Sequence, residues 1–187
     1  MELIEASLII KMDYRRMLSR FRASVLSSTS SRTRNKPNRR YGFEYMGSCY
    51  DFTTALLVAV DVSGAVPSEK LKDFFFIINR FFKYGIEKHD VIQFDAEVKP
   101  EILTLKKEKK KVQITGRGGT NFQAVIDFYE SNPAYDGLIL FTDGEAPCPK
   151  IHRTLKKLWV LSGSSDYNEF CKSILPKLPG AEATYIP

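Results

Sequence analysis

Apolar residues first recur with helical spacing. Tyr14, Met17, Leu18, Phe21 and Val25 stand at i, i+3, i+4, i+7 and i+11, one stripe of a helix that Asp13 is placed to cap. Ser27 to Ser31 ends that period, and the Pro- and Arg-bearing stretch up to about Gly47 reads as an extended linker or arm. From Ala55 to Val60 the chain is continuously apolar, as a strand buried on both faces would be. A helix is predicted over 68–84, with Leu71, Phe74, Phe75, Ile78, Phe81 and Phe82 on one face, Phe76 and Ile77 widening it, and Gly85 as its C-terminal cap. Val91–Phe94 reads as a second strand, and residues 97–105 as another, before the lysine run turns into Val112–Ile114. A helix carrying Phe122, Val125, Ile126 and Tyr129 follows the glycine-rich loop Gly116–Thr120. Then come strands at 137–141 and 158–161, a short helix through Phe170 and Ile174, and a terminal strand near 183–186. Strand alternating with helix, with uniformly apolar strands, predicts an α/β fold: a doubly wound, mostly parallel sheet flanked by helices on both faces. The division expected is a helix and basic arm over 1–50, followed by an α/β domain over 51–187.

In such sheets ligands gather beyond the carboxyl ends of the strands. Three predicted strands end there in aspartate: Asp61, Asp95 and Asp143. Asp61, Ser63, Thr120 and Asp143 thus supply oxygen from separate loops, a donor set suited to Mg²⁺ or Mn²⁺. Each also has a plain structural reading. Thr120 can cap a helix, Asp143-Gly144 can be a tight turn, and Ser63-Gly64 a strand-to-helix bend. Asp95, Asn121 and Glu145 are candidates for an additional polar site at the same edge.

Charge and composition narrow the chemistry. The 187 residues are 43% hydrophobic, which excludes a disordered chain. No apolar run approaches the ~18 residues of a membrane span. Glu2 and Glu5 occupy the place of a signal peptide's basic head, so a cytoplasmic location without membrane contact is expected. Of the net charge of +6, residues 32–40 carry +5 and residues 106–111 carry +4, leaving the remainder mildly acidic. Arg32, Arg34, Lys36, Arg39 and Arg40 are therefore candidate contacts to nucleic acid or an acidic partner. A basic linker and a lysine-protected strand edge rank ahead of that reading, because no motif of interleaved aromatics is recognised beside the clusters. Cys49, Cys148 and Cys171 form no CxxC pair, and His89 and His152, both expected to be solvated, give little material for a triad or a histidine metal site. A two-metal hydrolase built on Asp61, Asp95, Asp143 and Glu145 ranks last, since no nucleophile or general base stands beside those ligands.

The order Val60-Asp61-Val62-Ser63-Gly64, Ile92-Gln93-Phe94-Asp95-Ala96, Gly118-Gly119-Thr120-Asn121-Phe122 and Phe141-Thr142-Asp143-Gly144 resembles a von Willebrand factor A (VWA) domain with a metal-ion-dependent adhesion site. With Arg34 to Gly42, it is similar to the VWA-like domain at the C-terminal end of bacterial metallopeptidase-like proteins, over residues 13–187. The resemblance implies a Rossmann-like fold and a non-enzymatic interaction or adaptor module. Ser63 and Thr120 would contact a Mg²⁺ or Mn²⁺ ion directly, Asp61 and Asp143 partly through water, and a partner's carboxylate would complete the shell. It further implies an AAA+ ATPase of the MoxR type as protein partner. The chain departs from the family's Asp-x-Ser-Gly-Ser at Ala65, which removes one oxygen ligand and predicts a weak or unoccupied site. It also lacks the peptidase-like part that relatives carry upstream, which makes it a fragment or a stand-alone unit. A nucleic-acid-binding protein using the basic arm is the alternative.

Overall fold

The computed structural model describes residues 14–25, 30–50, 55–84, 89–107, 113, 114, 116, 118–152 and 156–186. The predicted caps Asp13 and Gly85, residues 27–29, Val112 and lysines 109–111 lie outside the described residues.

A six-stranded sheet divides the molecule into layers. Strands β3 (Leu56–Asp61), β4 (His89–Phe94), β5 (Leu103–Leu105), β6 (Gly137–Thr142), β7 (Lys157–Leu161) and β8 (Ala181–Tyr185) lie in the order β5-β4-β3-β6-β7-β8. All pairings are parallel except β4 with the short edge strand β5. In register, Val58 sits between Val91 and Ile139, and Ala59 between Ile92 and Leu140. The fold is α/β and doubly wound, as the alternation of elements predicts.

Strand periodicity assigns the two faces. Val58, Val60, Val91, Ile139, Phe141, Leu158 and Val160 face a core shared with α1 (Tyr14–Val25) and α2 (Ser68–Arg80). Their neighbours Leu57, Ala59, Ile92, Leu138, Leu140, Trp159 and Leu161 face a core shared with α3 (Phe122–Ser131) and α4 (Ser164–Ser173). Successive side chains of a strand point oppositely, so strands apolar throughout must be covered twice. Trp159 is wedged between Phe122 and Phe170, with both ring centroids 4.9 Å away. Helix α1 docks Met17, Leu18 and Phe21 into the first core beside Ile186, so the N-terminal helix packs onto the sheet rather than standing apart in an arm.

Three expectations change. The stretch read as an extended linker is a β-hairpin, β1 (Ser30–Asn38) paired antiparallel with β2 (Gly42–Tyr50). Its turn is built by Asn38, whose Oδ1 accepts from the N–H groups of Arg40 (2.9 Å) and Tyr41 (3.2 Å), and by Gly42 at φ +64°. On α2, Ile77 is buried while Phe75 is half-buried and Phe76 exposed under the Arg80 guanidinium, 5.6 Å from its ring. The strand expected over 97–105 is confined to Leu103–Leu105.

His89, expected to be solvated, is instead buried at the start of β4 between Phe81 and Phe82, and neither ring nitrogen has a partner among the described residues. Burial lowers its pKa from 6.5 to about 4, against the smaller opposing pull of Asp90. The unfolded chain therefore binds a proton between those values that the fold excludes, so stability is full above pH 6.5 and falls as pH drops toward 4. The shift corresponds to roughly 3 kcal/mol. His89→Phe is expected to flatten the melting-temperature profile between pH 7 and 4.5, and superimposable profiles of variant and parent would contradict this burial.

Candidate functional site

Strands β4, β3 and β6 are adjacent in the sheet, and their carboxyl ends deliver Asp95, Asp61 and Asp143 to one edge. Asp61 is the last residue of the central strand and is 0% exposed. Its Oδ1 accepts from the Ser63 N–H at 3.0 Å and its Oδ2 from the Thr142 hydroxyl at 2.7 Å. The Thr142 oxygen in turn accepts from the Gly144 N–H at 3.0 Å, and its single proton has Asp61 as the nearer acceptor, with Asp143 Oδ1 at 3.4 Å. Asp143 follows directly, and its Oδ1 accepts from the Glu145 N–H at 3.1 Å.

Burial dominates the electrostatics of Asp61. It raises the carboxyl pKa above 3.8, and the Asp143 charge adds to that, while Thr142 and Ser63 pull the other way without cancelling it. Among the described residues no cationic side chain pairs with Asp61. The Ser63 hydroxyl is equally enclosed. Ser63 is 1% exposed, and although its oxygen lies close enough to favour the Asp61 charge, it meets no hydrogen-bond partner in good geometry. A buried hydroxyl without a partner costs free energy on the order of 1–3 kcal/mol.

The glycine-rich loop is tied to this edge from the other side. Gly64 N–H donates to the Gly118 carbonyl at 3.1 Å, joining the Ser63 turn to the loop that carries Thr120. Thr120 is half-buried, and Asn121 rather than Thr120 caps α3, accepting from the Gln123 N–H at 3.0 Å. Asp95 holds the loop. Its Oδ2 lies 2.8 Å from Lys99 Nζ and accepts from the Gly118 N–H at 3.3 Å, and its carbonyl accepts from the Asn121 N–H at 2.9 Å. Burial opposes its charge, but Lys99 and the N–H groups of Glu97 and Gly118 outweigh that and lower its pKa. Glycine is required beside it. A Cβ at Gly116 would fall 2.5 Å from Asp95 Oδ2, and the backbone there has φ +109°. The glycines thus make room for Asp95, whereas the sequence suggests that they admit Thr120.

The predicted residues therefore separate. Asp61, Ser63 and Asp143 cluster at one junction, with the loop bearing Thr120 bonded to it. Of the additional candidates, Asp95 is spent on Lys99 and the loop, Asn121 on the helix cap, and Glu145 is exposed. Arg32, Arg34, Lys36, Arg39 and Arg40 lie away in sequence on the hairpin, all exposed. Thr142 was missed as a site residue. Its only sequence signal is a hydroxyl immediately before the strand-ending aspartate.

These side chains suit a hard cation. Two carboxylates, an enclosed hydroxyl without a partner in good geometry among the described residues, and a threonine on the loop bonded to this junction are the hard oxygen donors that such a cation takes. Among the described residues no three His, Cys, Asp or Glu side chains converge, so the fit is to a hydroxyl-and-carboxylate site and not to an all-carboxylate centre. Beside it a groove of about 430 Å³ runs from Asp143 and Glu145 past Asp166 and Glu169 to Lys177.

If the buried Asp61 charge is held as described, Asp61→Asn in EDTA at neutral pH should raise the melting temperature, by about 2–4 °C for each kcal/mol recovered. The sign follows from the raised pKa: stability declines as pH rises through the Asp61 titration, and the asparagine has no such titration. Thr142→Val should act oppositely, losing about 1.5–3 kcal/mol with the charge-assisted bond. Thermal denaturation of both variants decides it, and a destabilised Asp61→Asn with a neutral Thr142→Val would contradict the electrostatics.

Comparison with known proteins agrees with this architecture. The family described as VWA-like domain (DUF2201) matches residues 56–174, more than half of the chain. An uncharacterized protein of Thermotoga maritima is 27% identical over 176 residues, which cover 94% of this chain and 43% of that protein. The chain thus spans less than half the length of this relative. In structure, the chain is similar to the ArnB paralog VWA2 from Sulfolobus acidocaldarius, with a TM-score of 0.52 and 15% identity over 72% of this chain and 41% of that one. Among the described residues no helix is long and apolar enough to cross a membrane. Asp61, Ser63, Thr120 and Asp143 all fall inside the matched segment, and the chain belongs to the VWA-like domain (DUF2201) family.

Proposed function

We propose that the carboxyl edge of the sheet is a protein-docking face on which a divalent cation captures a carboxylate of a partner. The observation that carries this reading is the Ser63 hydroxyl, enclosed beside the buried Asp61 carboxylate and without a partner in good hydrogen-bond geometry among the described residues. Ser63, Thr120, Asp61 and Asp143 would hold Mg²⁺ or Mn²⁺. When bound, the ion supplies a positive charge with a coordination position open to an acidic side chain. The residues themselves do the positioning. Thr142 and the Ser63 N–H orient the Asp61 carboxylate, and the Gly64–Gly118 bond keeps the Thr120 loop against it.

Ala65 is exposed in the turn after Ser63 and offers no oxygen, which supports weak cation affinity. The neighbouring groove carries Asp143, Glu145, Asp166 and Glu169, so a partner would match it best with one carboxylate flanked by basic residues. An AAA+ ATPase is the protein partner, and a metallopeptidase-like protein the longer chain, that this reading assigns. It treats the domain as a non-enzymatic adaptor.

Ala65→Ser is expected to strengthen the rise in melting temperature caused by millimolar Mg²⁺, and Ser63→Ala to abolish it. A ligand at ten times its Kd stabilises by roughly 1.4 kcal/mol. Identical Mg²⁺ responses in parent and both variants would remove the cation from the reading. Capture of an AAA+ ATPase by the immobilised protein in Mg²⁺ but not in EDTA supports the bridge, whereas an ATPase held equally in EDTA would mean that the face docks without a cation.

A further inference from the structure

The hairpin leaves a surface that the sheet edge does not use. Neither β1 nor β2 contributes a described side chain to either core. Arg32, Arg34, Lys36, Arg39 and Arg40 are all exposed, with Glu44 the one described acidic side chain among residues 32–48. Interleaved with them stand three aromatic rings facing solvent, Tyr41 at 55%, Phe43 at 84% and Tyr45 at 60% exposure. The Tyr41 and Tyr45 rings lie 5.0 Å apart at 51°, a short platform. Together with Arg32, Arg34 and Phe43 they line a groove of about 670 Å³. In sequence the aromatics follow the basic run; the turn at Asn38 folds the strand bearing Phe43 and Tyr45 back against the strand bearing Arg32 and Arg34, and both sets line one groove.

An isolated two-stranded hairpin is marginal in water, and rings left this exposed add cost without return unless something covers them. An acidic peptide would meet the charge but leave three π faces unanswered. An apolar protein face would cover the rings but strand five cations. Duplex nucleic acid keeps its bases stacked on one another and offers the rings no faces. A single strand satisfies both demands, with phosphates on the guanidinium groups and bases stacked on Tyr41, Phe43 and Tyr45. We propose that the β1–β2 hairpin groove binds single-stranded nucleic acid, with Arg32 and Arg34 contacting phosphate and Phe43 and Tyr45 stacking on bases. This surface is independent of the cation edge, and neither reading depends on the other.

Fluorescence anisotropy with labelled U15 and dT15 tests it on the full chain. Binding should weaken with salt, with a log–log slope of about −2 to −3.5 if three to five cations engage a single strand. Phe43→Ala and Tyr45→Ala should each weaken binding by about tenfold, as a lost stacked base implies, while Tyr45→Phe retains affinity. Arg32→Gln with Arg34→Gln should reduce the slope by about 1.4. Because these side chains lie outside both cores, the variants should melt with the parent. Stronger binding to U15 than to dT15 identifies RNA, and equal binding a strand read through its phosphates and base faces alone. Either result supports the groove. The proposal is overturned by no binding at 50 mM salt, by affinities unchanged in Phe43→Ala and Tyr45→Ala, or by poly-glutamate binding more tightly than the oligonucleotides. The last would assign the face to an acidic protein.

Discussion

A buried carboxylate with no cationic partner among the described residues organises this molecule. Asp61 ends the central strand β3, fully enclosed, and accepts from Thr142 on β6 and from the turn at Ser63. Enclosing that charge costs free energy, as the raised pKa shows. Replacing Asp61 by an apolar residue would remove the charge but leave the Ser63 N–H and the Thr142 hydroxyl without their acceptor, so only replacing the three groups together would relieve the cost. The neighbouring Ser63 hydroxyl adds to the same imbalance. A buried carboxylate with no cation among the described residues and an enclosed hydroxyl beside it, at the carboxyl ends of parallel strands, are the physical content of the proposed docking edge.

The rest of the edge is arranged around that imbalance rather than sharing it. Asp95 shows the contrast. It stands one residue beyond Phe94, the β4 residue in register with Asp61, yet Lys99 and two N–H groups satisfy it, its pKa is lowered, and its task is to hold the glycine-rich loop. The loop then reaches across to the Ser63 turn through Gly64 and Gly118. One aspartate is ion-paired to build the scaffold, and another is buried within it with no cationic partner among the described residues.

Much of the scaffold was legible because burial on two faces leaves an unmistakable pattern. Continuous apolar runs such as Leu56–Val60 and Leu138–Phe141 cannot be exposed on either side, and strand–helix alternation then fixes a doubly wound sheet. What escaped was local or polar. The hairpin adds no described side chain to either core, so the arginine-bearing strand carries no hydrophobic period, and its signals were the Asn38–Gly42 turn and the alternation of Tyr41, Phe43 and Tyr45 that starts within it. His89 was misplaced because a polar residue type was taken to imply exposure, whereas its ring is packed between Phe81 and Phe82. At the site, Asp61, Ser63 and Asp143 could be read from strand ends. The roles of Asp95 and Thr142 could not, since they depend on Lys99 and on the register of β6 beside β3.

The most direct measurement is the titration of the Asp61 carboxyl carbon by NMR, in EDTA and in Mg²⁺. In EDTA the account predicts a pKa above the ordinary 3.8, and in millimolar Mg²⁺ a lower one, because the cation favours the charged form. A carboxyl that titrates at or below 3.8 in EDTA would contradict the claim that this charge is left uncompensated by the fold.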